Sequence, residues 1–296
     1  MSHAIIIPIY CENRNTINLC NELQNFGAEH IVVVNDGLNP KSEYFNELTS
    51  IGCHLVHLKN NNGKGASLKA GIKYAHDNLY NITGYITCDA DGQHTANDVM
   101  KISRMLDLRN GSLILGKRDY KKSKMPINIR IGNRLSSAYF KVITGKSCRD
   151  TQTGLRGIPA FLYDTVMKTK GSRFDFEMNF LTKCADMRVP FYFVNIIADC
   201  SNCSSNFRLI KDTYLIYRTP LRFATASIGC TIIDLVLFTI FAYILPSHMF
   251  FNIMLATLMA RVVSGGINFL INRKVIFGNT DNGAKQALRF FILFFC

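Results

Sequence analysis

The sequence predicts an α/β protein: a mostly parallel sheet with helices on both faces, then an interfacial amphipathic helix and a transmembrane helical hairpin. Three observations carry this. Short, wholly apolar runs alternate with helix-spaced segments over the first two hundred residues, the pattern of strands buried on both faces. A polar loop follows each of those runs. Two apolar stretches, 223–245 and 249–272, are each long enough to cross a bilayer.

In chain order, residues 4–9 form the first strand. Residues 15–26 carry Ile17, Leu19 and Leu23 at helical spacing, and Gly27 ends the helix. Strand 31–34 stops at Asn35-Asp36-Gly37, helix 41–51 follows, and then strand 53–58. A loop over 60–65 leads into helix 66–79, and strand 84–88 delivers Asp89. Thr95 is placed to cap the next helix. Strand 112–116 ends at Lys117-Arg118-Asp119, a basic loop holds Lys121, Lys122 and Lys124, and an amphipathic helix runs from Arg130 to about Ile143.

Composition narrows the function classes. The 296 residues suffice for one large domain plus an appendage. The net charge of +13 asks for an anionic partner: nucleic acid, membrane surface or phosphorylated substrate. The charge adjoins the apolar stretches and no nucleic-acid motif occurs, so nucleic acid is set aside. Ten irregularly spaced cysteines fit reduced thiols facing the cytosol, and the lone Cys200-Ser-Asn-Cys203 fits a loop better than a zinc site. Met1-Ser-His-Ala-Ile runs straight into a strand without a basic leader, so no signal peptide is expected.

The chemistry centres on Thr87-Cys88-Asp89-Ala90-Asp91-Gly92-Gln93-His94. Carboxylates at i and i+2 of a strand end share a face, and two like charges that close repel unless a cation lies between them. Oxygen ligands beside an amide suit a hard ion such as Mg²⁺ or Mn²⁺. Ligands of such sheets bind beyond the carboxyl ends of the strands, so loops 10–13, 35–37, 60–65 and 89–94 make one site. Glu12 and Asp36 offer acceptors for base N–H or ribose hydroxyl groups, and Gly63-Lys64-Gly65 offers backbone N–H groups and an ammonium to phosphate.

Ile7-Pro8-Ile9-Tyr10-Cys11-Glu12-Asn13, Val34-Asn35-Asp36-Gly37, Asn62-Gly63-Lys64-Gly65 and Asp89-Ala90-Asp91-Gly92-Gln93-His94 resemble, in that order, the signatures of family 2 glycosyltransferases with the Rossmann-like GT-A fold. The likeness is strongest to the polyprenyl-phosphate sugar synthases and covers about residues 4–215. It implies metal-dependent, inverting transfer from a nucleotide-sugar (UDP-glucose or GDP-mannose) to undecaprenyl or dolichyl phosphate. It implies Pro8, Tyr10, Glu12, Asp36, Lys64, Asp89 and Ala90 around the nucleotide, and Asp89, Asp91 and Gln93 on Mg²⁺ or Mn²⁺. Asp91, Gln93, Arg118 and Asp150 become the catalytic residues, and Arg118, Arg130 and Arg208 receive the lipid phosphate, with Arg134 as the alternative to Arg130. Asp150-Thr-Gln-Thr-Gly-Leu-Arg156 and Phe174-Asp-Phe-Glu177 resemble later signatures of the family, and a tetramer is also implied. Cys11 and Thr95-Ala96-Asn97 depart from the family pattern without removing a ligand.

The expected domains are 1–203 for the cytoplasmic catalytic part, 204–222 for the interfacial helix and 223–296 for the membrane region, with a third span beginning near 287. Basic residues at the outer ends of the hairpin place both ends in the cytoplasm. Asp234 and Arg261 are expected at one depth, as an ion pair. Ile233-Asp234-Leu235, Arg261 with Ser264, and Asn268-Phe269 through Phe277 resemble the first half of a GtrA-like domain, so a truncated form of it is expected, and anchoring rather than passage of lipid-linked sugars. The competing reading is a membrane scaffold or lipid-sugar translocation component with a vestigial catalytic domain. A processive polysaccharide synthase is disfavoured because its Gln-x-x-Arg-Trp signature needs a tryptophan and the chain has none.

Overall fold

The computed structural model describes residues 3–118, 127–197, 209–245 and 250–271. The chain divides into two compact units, Met1–Asp212 and Thr213–Cys296.

The first unit is built on seven strands: β1 (His3–Ile9), β2 (His30–Asp36), β3 (His54–Leu58), β4 (Gly84–Thr87), β5 (Leu113–Arg118), β6 (Arg156–Pro159) and β7 (Phe191–Ile196). Their order across the sheet is β3-β2-β1-β4-β6-β5-β7. Only β6 runs against its neighbours. Helices α1 (Arg14–Asn25), α2 (Glu43–Ser50) and α4 (Ala96–Leu108) supply one layer; α3 (Lys64–Asn78), α5 (Ile127–Thr144), α6 (Tyr163–Lys168) and α7 (Asp175–Asp186) complete the unit.

Alternation along β1 divides the core in two. Ile5, Ile7 and Ile9 pack with Ile17 and Leu23 of α1, Phe45 of α2 and Ile102 of α4. Ala4 and Ile6 pack on the other face with Leu68 and Ile72 of α3, Phe140 of α5 and Phe176 of α7. Side chains of this size each stabilise by about 1.5–3 kcal/mol when buried. Gly71 lets α3 lie close: a Cβ there would meet Ile6 Cγ2 at 2.5 Å and Val34 Cγ2 at 2.7 Å. Thr95 caps α4 as expected, accepting from the Asp98 amide at 3.2 Å.

The second unit contains α9 (Phe250–Ile271) and most of α8 (Leu209–Ile244). Thr225–Ile244 and Phe251–Ile271 are long and apolar enough to cross a membrane. Helix α8 begins upstream of the first span and runs on through Pro220 as one element. A single proline removes one hydrogen bond without forcing the chain out of a long helix.

The expected Asp234–Arg261 ion pair does not form among the described residues. Ser264 Oγ donates to Asp234 Oδ1 at 2.7 Å instead. Ala256, Ala260 and Ser264 are buried at a four-residue repeat on α9, whereas Arg261, one residue round the helix from Ala260, is exposed. Equal depth along two helices does not set which face each residue occupies, and Arg261 lies off the buried stripe of α9.

Candidate active site

The parallel register brings the strand ends level, with Ile9 opposite Asn35 and Asp36 opposite Leu58. The polar loops after β1 to β4 therefore gather at one edge.

Asp89, at the end of β4, is the most heavily engaged carboxylate there. Lys64 Nζ lies 2.6 Å from its Oδ1 and 3.1 Å from Glu177 Oε1 of α7. His94 Nε2 makes a longer approach, 3.6 Å from Oδ2. Burial disfavours both charges of the Lys64–Asp89 pair, yet their mutual attraction outweighs it. Asp89 is held below the usual carboxylate range by Lys64 and His94, and Lys64 is raised by Asp89 and Glu177. Gly154 closes the site from the 150–156 loop, since a Cβ there would lie 2.0 Å from Asp89 Oδ2. Its carbonyl accepts from Thr87 Oγ1 at 2.8 Å, tying loop to strand.

Asp91 accepts from the Gln93 amide at 3.1 Å and from the Gln93 side chain. Burial and the neighbouring Asp89 charge push its carboxyl up. Among the described residues no three His, Cys, Asp or Glu side chains form a cation cage. The Asp91 carboxylate, its charge disfavoured by burial and by Asp89, nonetheless fits a hard divalent ion whose remaining positions are filled by a ligand or water.

The expected phosphate cradle at Gly63–Lys64–Gly65 is corrected in part. Helix α3 starts at Lys64, but the 171–176 segment packs on that end. The Ala66 amide donates to Ser172 O at 2.9 Å, and a Cβ on Gly65 would meet Phe176 Cβ at 2.4 Å. Asp36 accepts from the Asn62 and Gly63 amides at 2.8 and 2.9 Å, so it shapes that loop. Pro8 is buried within β1, while Tyr10 and Glu12 are exposed. Glu12, Asn13, Ser42 and Tyr44 line an open cleft of about 470 Å³, beside an Arg14–Glu47 pair at 2.7 Å. The Ala90 carbonyl accepts from Thr16 Oγ1 at 3.0 Å, fixing the Asp89–Asp91 loop to α1.

Arg118 and Asp150 form a buried fork: Nε to Oδ2 at 2.7 Å and Nη2 to Oδ1 at 2.8 Å. Asp150, expected among the catalytic residues, is fully buried and orients the guanidinium. Arg130 is half-buried on α5 and Arg134 is exposed, so Arg130 is the one turned toward the body of the unit. Arg208 and Lys121, Lys122 and Lys124 lie outside the described residues, as do Cys200, Cys203 and the region of the third span.

Residue patterns alone gave no role to Arg156, buried at the start of β6. It donates to the carbonyls of Thr153, Glu177 and Thr151 at 2.9, 3.0 and 3.2 Å, binding the 150–156 loop to α7. An arginine opening an apolar strand was the available signal, because a buried charge must be paired. Asn133 and Ser136 of α5 hold the same loop through Thr151, at 3.2 and 2.9 Å.

A model described as glycosyl transferase family 2 matches residues 4–164, and one described as GtrA/DPMS, transmembrane domain, matches residues 222–296. An uncharacterised protein of Methanocaldococcus jannaschii is 32% identical over 188 residues, covering 60% of this chain and 73% of the relative. A Methanococcus voltae relative named UDP-N-acetylglucosamine–dolichyl-phosphate N-acetylglucosaminyltransferase is 29% identical over 172 residues, covering 51% and 67%. Glucosyl-3-phosphoglycerate synthase from Mycobacterium tuberculosis, solved in complex with Mn²⁺ and UDP-glucose, superposes with a TM-score of 0.55 at 12% identity, covering 75% of this chain and 77% of that one. At that identity the likeness is one of fold, the GT-A arrangement of sheet and helices.

Proposed function

This chain belongs to glycosyl transferase family 2, is a glycosyltransferase and carries a GtrA/DPMS transmembrane domain; from that premise we propose that it transfers a sugar from a nucleotide-sugar to a polyprenyl phosphate at the cytoplasmic face of a membrane. The observation that carries the reading is the cluster of Asp89, Lys64, Asp91 and Gln93 at the carboxyl edge of the sheet, in a chain that also holds two apolar helices of spanning length. The M. voltae relative, named for a dolichyl-phosphate acceptor, supports the acceptor class.

The acceptor phosphate is ionised at neutral pH and needs no general base. Its oxygen bonds to the anomeric carbon as the bond to the nucleoside diphosphate breaks, and the electron pair leaves with the diphosphate. Attack from the opposite face inverts the configuration. Asp89, Asp91 and Gln93 would hold a divalent ion, Mg²⁺ or Mn²⁺, whose charge when bound neutralises a departing diphosphate. Lys64 brings fixed positive charge to the same edge, and Glu12 and the Asp36-shaped loop face the nucleoside. Arg118, oriented by Asp150, and Arg130 receive the acceptor phosphate, for which a planar guanidinium is suited.

The test is transfer from radiolabelled UDP-glucose, UDP-N-acetylglucosamine and GDP-mannose, separately, to undecaprenyl and dolichyl phosphate in detergent with Mg²⁺. A mild-acid-labile lipid product, abolished by Asp91→Ala, is expected with one donor. Absence of both transfer and metal-dependent nucleotide binding would favour the scaffold reading.

A further inference from the structure

Lys64 stands where a cation is locally disfavoured. It is the first residue of α3, and the free amides of an opening helical turn carry partial positive charge. Its backbone is pinned: Asp36 holds the Asn62 and Gly63 amides, and the Ala66 amide donates to Ser172 O. What keeps the ammonium there is a pair of carboxylates, Asp89 Oδ1 at 2.6 Å and Glu177 Oε1 at 3.1 Å. The side chains of Lys64, Asp89 and Glu177 are 16%, 23% and 9% exposed, so water screens these contacts little.

Both oxygens of Asp89 are thus approached by nitrogen, Oδ1 by Lys64 and Oδ2 by His94 at 3.6 Å, while the Asp91 carboxylate accepts from Gln93. An ion that needs Asp89 must displace a cation already in place. An ammonium with one partner would resist, because a buried charge left alone is costly. Lys64 has Glu177 within reach as well, and a small movement of its flexible stem gives up Asp89 while keeping a charge pair. Arg156 keeps that second carboxylate in position, with Nη1 donating to the Glu177 carbonyl and Nη2 3.8 Å from Oε1.

We propose that Lys64 is a resident counter-ion that competes with the divalent ion for Asp89 and passes to Glu177 and the donor diphosphate when nucleotide and ion arrive together. The inference rests on the proposed nucleotide–ion site and adds an order of events to it. The ion alone binds weakly, and nucleotide and ion each strengthen the other by the same factor. A lysine that merely fastens α3 to the end of β4 predicts the opposite sign, since its removal would loosen Asp89 and weaken the ion.

The experiment uses the full chain in detergent. The free-ion signal in electron paramagnetic resonance reads binding of Mn²⁺ alone, and calorimetry reads binding of UDP and GDP with and without Mn²⁺. Lys64→Met is expected to bind Mn²⁺ alone at least about fivefold more tightly than the wild type, and the factor by which Mn²⁺ strengthens nucleotide binding is expected to fall at least about fivefold. Lys59→Met removes a charge from an exposed position of the same loop and is expected to change Mn²⁺ binding by less than about twofold. Because Lys64→Met leaves two buried carboxylates without their ammonium, the comparison is repeated on a Glu177→Gln background. The double variant is expected to bind Mn²⁺ alone at least about fivefold more tightly than Glu177→Gln. Mn²⁺ binding that is unchanged or weakened by removing Lys64 would overturn the inference and leave the nucleotide–ion site standing, as would an equal gain in Lys59→Met. Wild-type nucleotide binding that is absent, or indifferent to Mn²⁺, would sink the proposed site and this inference with it.

Discussion

At position 154 a hydrogen atom is all that the site accepts, since a Cβ would stand 2.0 Å from an Asp89 oxygen. Gly154→Ala must therefore push either the loop or the carboxylate. We expect kcat/KM for the donor to fall at least about tenfold, with a smaller change in thermal stability, because the strain falls on a carboxylate proposed to hold the ion. An unchanged kcat/KM would mean that Asp89 can move without consequence. The Arg118–Asp150 fork gives a second residue-level expectation. Arg118→Met leaves a fully buried carboxylate unpaired, a loss of about 3–5 kcal/mol by denaturant unfolding. Adding Asp150→Leu should recover most of that stability and none of the activity. Recovery of activity as well would show that the arginine serves only to balance its partner.

At the scale of elements, the far end of the sheet is fastened by His3 at the start of β1. Its Nδ1 meets Ser103 Oγ of α4 at 2.9 Å, and its Nε2 lies 3.2 Å from Asp107 Oδ1. Burial lowers the imidazole below its ordinary value of 6.5, against an opposing pull from Asp107. His54 is lowered too, by burial and then by His30. A lowered histidine stays neutral in the native state where the unfolded chain already binds a proton, so stability falls as the pH drops below about 6.5 toward the native value. The unfolding midpoint of the detergent-solubilised protein should therefore fall between pH about 7.5 and about 5.5, and His3→Gln should shallow that fall. A midpoint that rises on acidification would contradict the assignment. The strands and the loops after them were legible because apolar runs and turn residues are local signals. The covering of the α3 N-terminus by 171–176 was not: that contact joins positions over a hundred residues apart, and nothing near Gly63 in sequence announces it. The continuity of α8 was hidden for the opposite reason, since a change from amphipathic to mostly apolar composition need not interrupt the helical backbone.

For the whole molecule, the order of signatures was enough to point to a family because each signature sits at a strand end and the topology brings those ends to one edge. Asp89, Asp91 and Gln93 could be named from sequence, but the partners that set their charge could not. Lys64 reaches Asp89 from α3, Glu177 reaches Lys64 from α7, and only the folded sheet puts them there. The membrane unit was legible in its spans by length and composition, while Asp234 meeting Ser264 depended on which face of α9 is buried. We propose above all that the Asp89–Gln93 edge binds a nucleoside diphosphate with a divalent ion. It is tested most directly by calorimetric titration of UDP and GDP into the full chain, with and without Mg²⁺, for the wild type and Asp91→Asn. Binding of one nucleotide is expected to require Mg²⁺ and to weaken at least about tenfold in Asp91→Asn, a loss of about 1.4 kcal/mol or more. Binding that is indifferent to both the ion and the substitution would contradict it.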